Sequence, residues 1–271
     1  MNQLVDERIL LFIPMYNCEK QIVRVLNQLN DELQSYISKV IIVNNRSTDN
    51  GEEAVINYFK SGKIHIPVSV LRNNENYGLG GSHKVAFSYA IRHRFDYVIV
   101  LHGDDQGHID NILPYLKNRE YKKYDCLLGA RFIKGSQLDG YSAFRTFGNR
   151  VYNLLFSAAV HKRIYDLGSG LNLYSTKMLE DNFFFKYKDN LMFNYCMELG
   201  SYYKKLNVQY FKIRWSEDDQ VSNVKMINQA FEVLRILFLY IINKKRFINK
   251  DFRDKPIEEY KAEEIFTHVE E

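Results

Sequence analysis

Residues Tyr97–Gln106 read YVIVLHGDDQ, an apolar run that passes without a break into a short acidic turn. Val98, Ile99, Val100 and Leu101 are the composition of a strand buried on both faces. An acidic turn after such a strand commonly serves as a plain cap or turn. It also supplies the hard oxygen ligands that a divalent cation takes. At this point both readings stand.

Upstream of this stretch, strand and helix patterns alternate. Ile9–Ile13 (ILLFI) is a short apolar run ended by Pro14, and Ile22, Val25, Leu26, Leu29 and Leu33 follow at helical spacing. Lys39–Val43 is a second buried strand, after which Ser47, Thr48 and Asp49 offer caps for a helix carrying Ala54, Val55, Tyr58 and Phe59. Val68–Leu71 reads as a third strand and Val85–His93 as a third helix. A βαβαβαβ order of this kind predicts an α/β fold with a mostly parallel, doubly wound sheet and right-handed crossovers. Ligands bind such sheets beyond the carboxyl ends of the strands. Pro14–Asn17, Asn44–Asp49 and His102–Gln106 all fall at those ends, so three separate segments converge on one edge.

The second half is less regular. Strands are expected at Asp125–Ala130, Leu171–Ser175 and Val208–Trp215, and helices at Gly148–Val160, Asn190–Lys205 and Val221–Asn243. The tail from Asp251, rich in glutamate, reads as a solvated helix or a frayed terminus.

The chain has 271 residues and a net charge of +4 with scattered basic residues, which argues against a nucleic-acid binder. Cys18, Cys126 and Cys196 are far apart and form no CxxC pair, as expected of a reduced, cytoplasmic compartment. The opening MNQLVDER lacks the apolar core of a signal peptide. No run reaches the ~18 apolar residues that span a bilayer. The nearest, Ala230–Ile242, contains Glu232 and Arg235 and is followed by Lys244, Lys245 and Arg246. It fits a basic-flanked helix at a membrane surface, such as the inner face, or a helix packed on the rest of the protein.

Taken in order, PMYN, NNRSTDNG, NYGLGGSHKVAFSYA, LHGDDQ, GARF and FRTFGNRVYN resemble family 2 glycosyltransferases over about residues 9 to 225. The branch most similar is that of the dolichyl- and undecaprenyl-phosphate sugar transferases. The resemblance implies a GT-A, Rossmann-like catalytic domain over residues 1–220, with a C-terminal helical elaboration and acidic tail over 221–271. It implies an inverting transfer from a nucleotide-diphosphate sugar to a polyprenyl phosphate or a glycan, in cell-surface glycan biosynthesis. Mn²⁺ or Mg²⁺ would offset the charge that grows on the leaving diphosphate.

Carried over by motif, Pro14, Tyr16 and Asn17 frame the donor's base, with the Tyr16 ring as a stacking surface. Asn45 falls at a base-reading position. Gly78, Gly80 and Gly81 let the backbone pass close to the nucleotide, and Lys84 offsets phosphate charge. His102, Asp104 and Gln106 fall on the metal-binding positions of the family's D-x-D-x-Q. Arg131 and Arg145 match arginines that meet anionic phosphate. Asp104 is also a catalytic residue in this reading, and Asp166 is the candidate base, with Glu217-Asp218-Asp219 a second candidate. A phosphate acceptor needs no strong base, because its second pKa lies near 6.

The chain departs from the family at several of these positions. Cys18 stands where a glutamate is common. Asn44 and Asn45 replace two aspartates, and Asn172 an arginine. His102 replaces the first aspartate of the metal motif, and its nitrogen favours Mn²⁺ over Mg²⁺. These changes keep open a nucleotide-sugar-binding relative with impaired catalysis. A sugar nucleotidyltransferase fits less well, because PMYNCEK lacks the glycines of a phosphate loop after the first strand.

Overall fold

The computed structural model describes residues 7–217, 219 and 226–268. Strands and helices alternate in its first half, in the order β1 (Ile9–Met15), α1 (Glu19–Asn27), α2 (Asp31–Gln34), β2 (Lys39–Asn44), α3 (Gly51–Lys60), β3 (Val68–Asn73), α4 (Gly78–Arg92) and β4 (Tyr97–Leu101). All seven residues of β1 are buried, as a strand covered on both faces requires. Successive residues point to opposite faces. Ile9, Leu11 and Ile13 therefore pack in one core with Ile22, Val25, Val55 and Phe59 of α1 and α3. Leu10 and Phe12 pack in the other, with Val85, Ala86 and Phe87 of α4.

The elements that follow are α5 (Leu113–Lys117), β5 (Cys126–Ala130), β6 (Gln137–Asp139), α6 (Ala143–Val160), β7 (Leu171–Ser175), α7 (Met192–Tyr203), β8 (Val208–Lys212), β9 (Arg214–Ser216), α8 (Met226–Ile242), α9 (Lys244–Asn249) and β10 (Ala262–His268). The main sheet has eight strands in the order β10-β3-β2-β1-β4-β7-β5-β8. The pairs β1–β2, β2–β3, β1–β4 and β5–β8 are parallel, while β7 runs antiparallel between β4 and β5. Strand order reverses at β1, which lies between β2 and β4. The carboxyl ends of these three strands make the crevice that a doubly wound sheet offers a ligand.

Five sequence expectations need correction. The third helix, expected at Val85–His93, starts at Gly78, because the glycine-rich stretch forms its first turn. The helix expected across Ile22–Leu33 is two, because the Asn30 side chain accepts from the Leu33 amide and starts a new one. The strand expected at Val208–Trp215 is also two, since β9 leaves the main sheet to pair with β6. The helix α6 starts at Ala143, a turn and a half earlier than expected. The acidic tail, expected as a solvated helix or a frayed terminus, carries a strand, because β10 pairs antiparallel with β3 and closes that edge of the sheet. Its charges are tolerated because an edge strand keeps one side open to water. Residues 221–225, the expected start of the last helix, lie outside the described residues.

Candidate active site

The turn after β4 is held against the end of β1. The Gly103 amide donates to the Pro14 carbonyl at 3.1 Å. A β-carbon at Gly103 would come within 2.9 Å of that oxygen, so the position has room only for glycine. Asp105 adopts φ +59° and turns away from its neighbour. Its carboxylate takes hydrogen bonds from Arg24 at 2.6 Å and Gln28 at 2.9 Å. Asp104 stays in the crevice, where its carboxylate accepts from the Gln106 amide at 3.3 Å. Burial pushes its pKa up to about 6, with the charge of Asp105 adding to the effect.

The His102 ring turns inward. Gly170 lies so close that a β-carbon there would come within 2.8 Å of the imidazole. The His83 ring stands 6.2 Å from it, centroid to centroid. His102 Nε2 is shut off from water and has no hydrogen-bond partner among the described residues. Burial, with the nearby Arg131 charge, pulls this imidazole down to about 4. Among the described residues, no three His, Cys, Asp or Glu side chains converge closely enough to hold a metal on their own.

Gln106 begins a polar chain along the crevice. Its side-chain amide donates to Glu217 at 3.2 Å, and Arg145 donates to the other Glu217 oxygen at 2.6 Å. Arg145 stacks 4.4 Å from the centre of the Tyr141 ring. Glu217 is therefore part of the site, although three consecutive acids usually mark a solvated loop. Asp219 pairs instead with Arg24 at 2.8 Å, and Asp218 lies outside the described residues.

At the β1 and β2 ends, Tyr16 stands at the rim with 47% of its surface exposed. The Asn17 side chain accepts from the Thr48 amide at 2.7 Å and ties the two loops together. Asn44 accepts from the Ser47 amide at 2.8 Å and donates to Glu52 at 2.6 Å. A carboxylate could not make that second bond, which gives the amide a structural reason. Asn45 is likewise committed to loop scaffolding. It accepts from Asn73 at 2.9 Å and from the Tyr77 amide at 2.8 Å, and it donates to Asn76 at 2.8 Å.

Two groups of expected donor-binding residues are placed elsewhere. Gly78, Gly80 and Gly81 form the first turn of α4, where the Gly80 and Gly81 amides donate to the Asp189 carbonyl at 2.6 and 3.2 Å. A β-carbon at Gly80 would meet the Lys188 carbonyl at 2.4 Å. The backbone these glycines admit is the chain's own. Lys84 is fully buried and donates to Asp189 at 2.5 Å and to the Tyr187 carbonyl at 2.7 Å. Tyr260 from the C-terminal tail donates to the same carboxylate at 2.8 Å. Burial pulls the Lys84 ammonium below its usual range, partly offset by Asp189. It is a packing lysine that does not reach the crevice.

Arg131 and Asp166 form a buried two-pronged ion pair with both contacts at 2.8 Å. The same carboxylate also accepts from the Arg131 amide at 2.8 Å and the Gly168 amide at 3.2 Å. With its lone pairs engaged, Asp166 acts as the anchor of Arg131 and is poorly placed to serve as a base. The Trp215 ring covers the guanidinium at 4.8 Å.

A protein of Methanocaldococcus jannaschii, "Uncharacterized protein MJ0544", is 25% identical over 238 residues, covering 84% of this chain and 98% of that one. S. aureus TarS 1-349 in complex with UDP-GlcNAc superposes with a TM-score of 0.57 at 18% identity, covering 93% of this chain and 69% of that one. The glucosyl-3-phosphoglycerate synthase of Mycobacterium tuberculosis in complex with Mn²⁺, uridine-diphosphate and glucosyl-3-phosphoglycerate has a TM-score of 0.59 at 12% identity. That match covers 87% of this chain and 80% of the synthase. At such identities these two structures speak for the fold alone. The sequence model of one family matches residues 11–183, which hold most of β1, every strand from β2 to β7 and the carboxyl ends of β1, β2 and β4. The chain therefore belongs to glycosyl transferase family 2.

Proposed function

We propose that this glycosyltransferase takes its sugar from a nucleotide diphosphate bound across the carboxyl ends of β1, β2 and β4. The observation that carries this reading is the placement of Asp104, recessed in the crevice while its neighbour Asp105 is turned away onto Arg24. Support also comes from two proteins of the same fold that bind UDP-GlcNAc, and uridine-diphosphate with Mn²⁺. Tyr16, exposed at the rim, offers a ring for the base.

The donor set suits a divalent cation that takes most of its ligands from a bound diphosphate. Asp104 would supply the protein's oxygen ligand. The Nε2 of His102, which has no hydrogen-bond partner among the described residues, is a second nearby donor atom, and Gln106 would join only by releasing Glu217. Such an ion supplies charge compensation for the leaving diphosphate. The chain's own part is to hold the donor against Asp104 and to present Arg145 to anionic oxygens. A polyprenyl phosphate or a glycan is the acceptor in this reading. The engagement of Asp166 with Arg131 favours a phosphate, whose attacking oxygen is already ionised and needs no base. The catalytic unit is residues 1–220. The C-terminal helices pack on it and give a peripheral contact with the cytoplasmic face of a membrane.

A thermal-shift screen of UDP-, GDP-, CDP- and dTDP-sugars with Mn²⁺ and Mg²⁺ tests the donor reading. A donor at about 100 times its dissociation constant adds about 2.7 kcal/mol of stability. One base class should stabilise the protein in a metal-dependent manner, with Mn²⁺ the better ion. No stabilisation by any of the four would contradict the proposal. Stabilisation without metal-dependent donor hydrolysis would identify a binding relative that has lost catalysis.

A further inference from the structure

A pocket of about 660 Å³ lies between the β5–β6 loop, α6 and the segment after α6. Lys134, Arg150 and Arg163 line it, and none of the described residues lining it is a carboxylate. Arg131 is also in its wall, but Asp166 cancels that charge. Among the described residues none of the three other cations has an acidic partner; Arg163 lies only against the Tyr165 ring, at 5.2 Å. The loop is fixed in place, since Ser136 donates to the Ala130 carbonyl at 2.6 Å and Gly135 turns the chain at φ +95°. Three unpaired cations around one concavity attract a multiply charged anion, and a guanidinium fork matches phosphate oxygens.

The helix that carries Arg150 also carries an unusual surface. Phe147, Arg150, Val151 and Leu154 recur at three- and four-residue spacing, so they share one exposed stripe. Phe144 extends that apolar surface and is 76% exposed. The neighbouring helix α8, which packs on α6, exposes Phe231, Leu234, Phe238, Ile241 and Ile242. Just beyond α8, Lys244 at the start of α9 donates to the Ala159 carbonyl of α6 at 2.9 Å. Two helices in contact thus each expose apolar side chains, with Arg235 exposed on α8, Lys245 and Arg246 exposed just after it, and Arg150 of the pocket on the α6 stripe. Large apolar patches rimmed by charge mark interaction surfaces, and cations around apolar helices are the arrangement that anionic bilayers bind.

We propose that the α6–α8 face rests on an anionic bilayer and that the Lys134–Arg150–Arg163 pocket takes the phosphate of a lipid headgroup. This deepens the peripheral contact proposed above by giving it a second helix and a specific ligand chemistry. It does not require any particular donor or acceptor, so it can fail while the transferase reading stands, and the reverse.

Flotation with phosphatidylcholine vesicles, with and without phosphatidic acid, tests it. The wild-type protein should bind the phosphatidic acid vesicles far more tightly than the neutral ones. The combined Lys134→Gln, Arg150→Gln, Arg163→Gln variant should lose at least roughly tenfold of that affinity, since each basic group near an anionic surface contributes a large factor. Its residual binding to neutral vesicles should be unchanged. A variant losing the same charge elsewhere, Lys20→Gln, Lys60→Gln, Lys63→Gln, should bind as the wild type does. Equal loss in both variants, or none in the pocket variant, overturns the headgroup site. Inorganic phosphate is the other arm: if it raises the Tm of the wild type but not of the pocket variant, and neither floats, the pocket is a free-phosphate site and the lipid proposal is wrong. Phe231→Ser, Phe238→Ser should abolish flotation. If it instead converts a dimer to a monomer and leaves flotation intact, the face belongs to a second copy of the chain and the proposal falls.

Discussion

Lys84 shows how far a single residue can be read without its surroundings. It sits in a glycine-rich stretch after a strand, where a cation beside phosphate is a natural expectation. In the structure its ammonium is enclosed by Asp189, the Tyr187 carbonyl and Tyr260. Removing one partner of a buried ion pair leaves an uncompensated charge, which typically costs about 3–5 kcal/mol. Lys84→Met should therefore lose stability of that order in urea unfolding, while the folded fraction binds donor as the wild type does. Unchanged stability with lost donor affinity would return Lys84 to the nucleotide site. The partners lie 103 to 176 residues away along the chain, so no local pattern could have revealed them. The turn at Asp104 was legible for the opposite reason: its strand, its glycine and its acids are contiguous. The substitution of asparagine at 44 and 45 is intermediate. The change was visible, but its meaning required the donor bond from Asn44 to Glu52.

Elements were legible where periodicity was strong. The strands at Tyr97–Leu101 and Leu171–Ser175 were placed to the residue, and β1 and β2 within a residue or two at one end. The tail strand β10 was missed because AEEIFTH puts charge where a buried strand would have aliphatics. Its register is set instead by contacts across to β3, among them the Ser69 hydroxyl donating to Glu264 at 2.6 Å. The helix α7 carries a different anomaly. Glu198 is buried, accepts from the Tyr210 hydroxyl at 2.7 Å, and burial pushes its pKa from 4.5 to about 8. Between those two values the folded protein holds a proton that the unfolded chain has released, so stability falls as pH rises through that window. Glu198→Gln keeps an acceptor for Tyr210 and removes the titration. Its Tm relative to wild type should rise steadily from pH 5 to pH 8. A difference that does not change with pH would show that the carboxyl is ionised in the folded state.

At the scale of the whole molecule, the alternation of strands and helices placed three polar segments on one edge, and the sheet order around β1 puts them there. The sequence offered Glu217 only as one of three acids that could serve as a base, and it did not show how the C-terminal part of the chain completes the site. Glu217 closes the crevice through Gln106 and Arg145, and Tyr260 and β10 lock α4 and β3 from the C-terminal side. These are long-range pairings, specified by packing after the sheet has formed. The central claim is that this edge is where the transferase works, with Asp104 beside the leaving diphosphate. The most direct test is the metal-saturated rate of nucleotide release from the donor identified by thermal shift, compared between the wild type and Asp104→Ala. Loss of a charge-stabilising group of this kind costs on the order of 10²–10³ in rate, and the variant should unfold at close to the wild-type temperature. A folded Asp104→Ala protein that retains more than half of the wild-type rate would contradict the account.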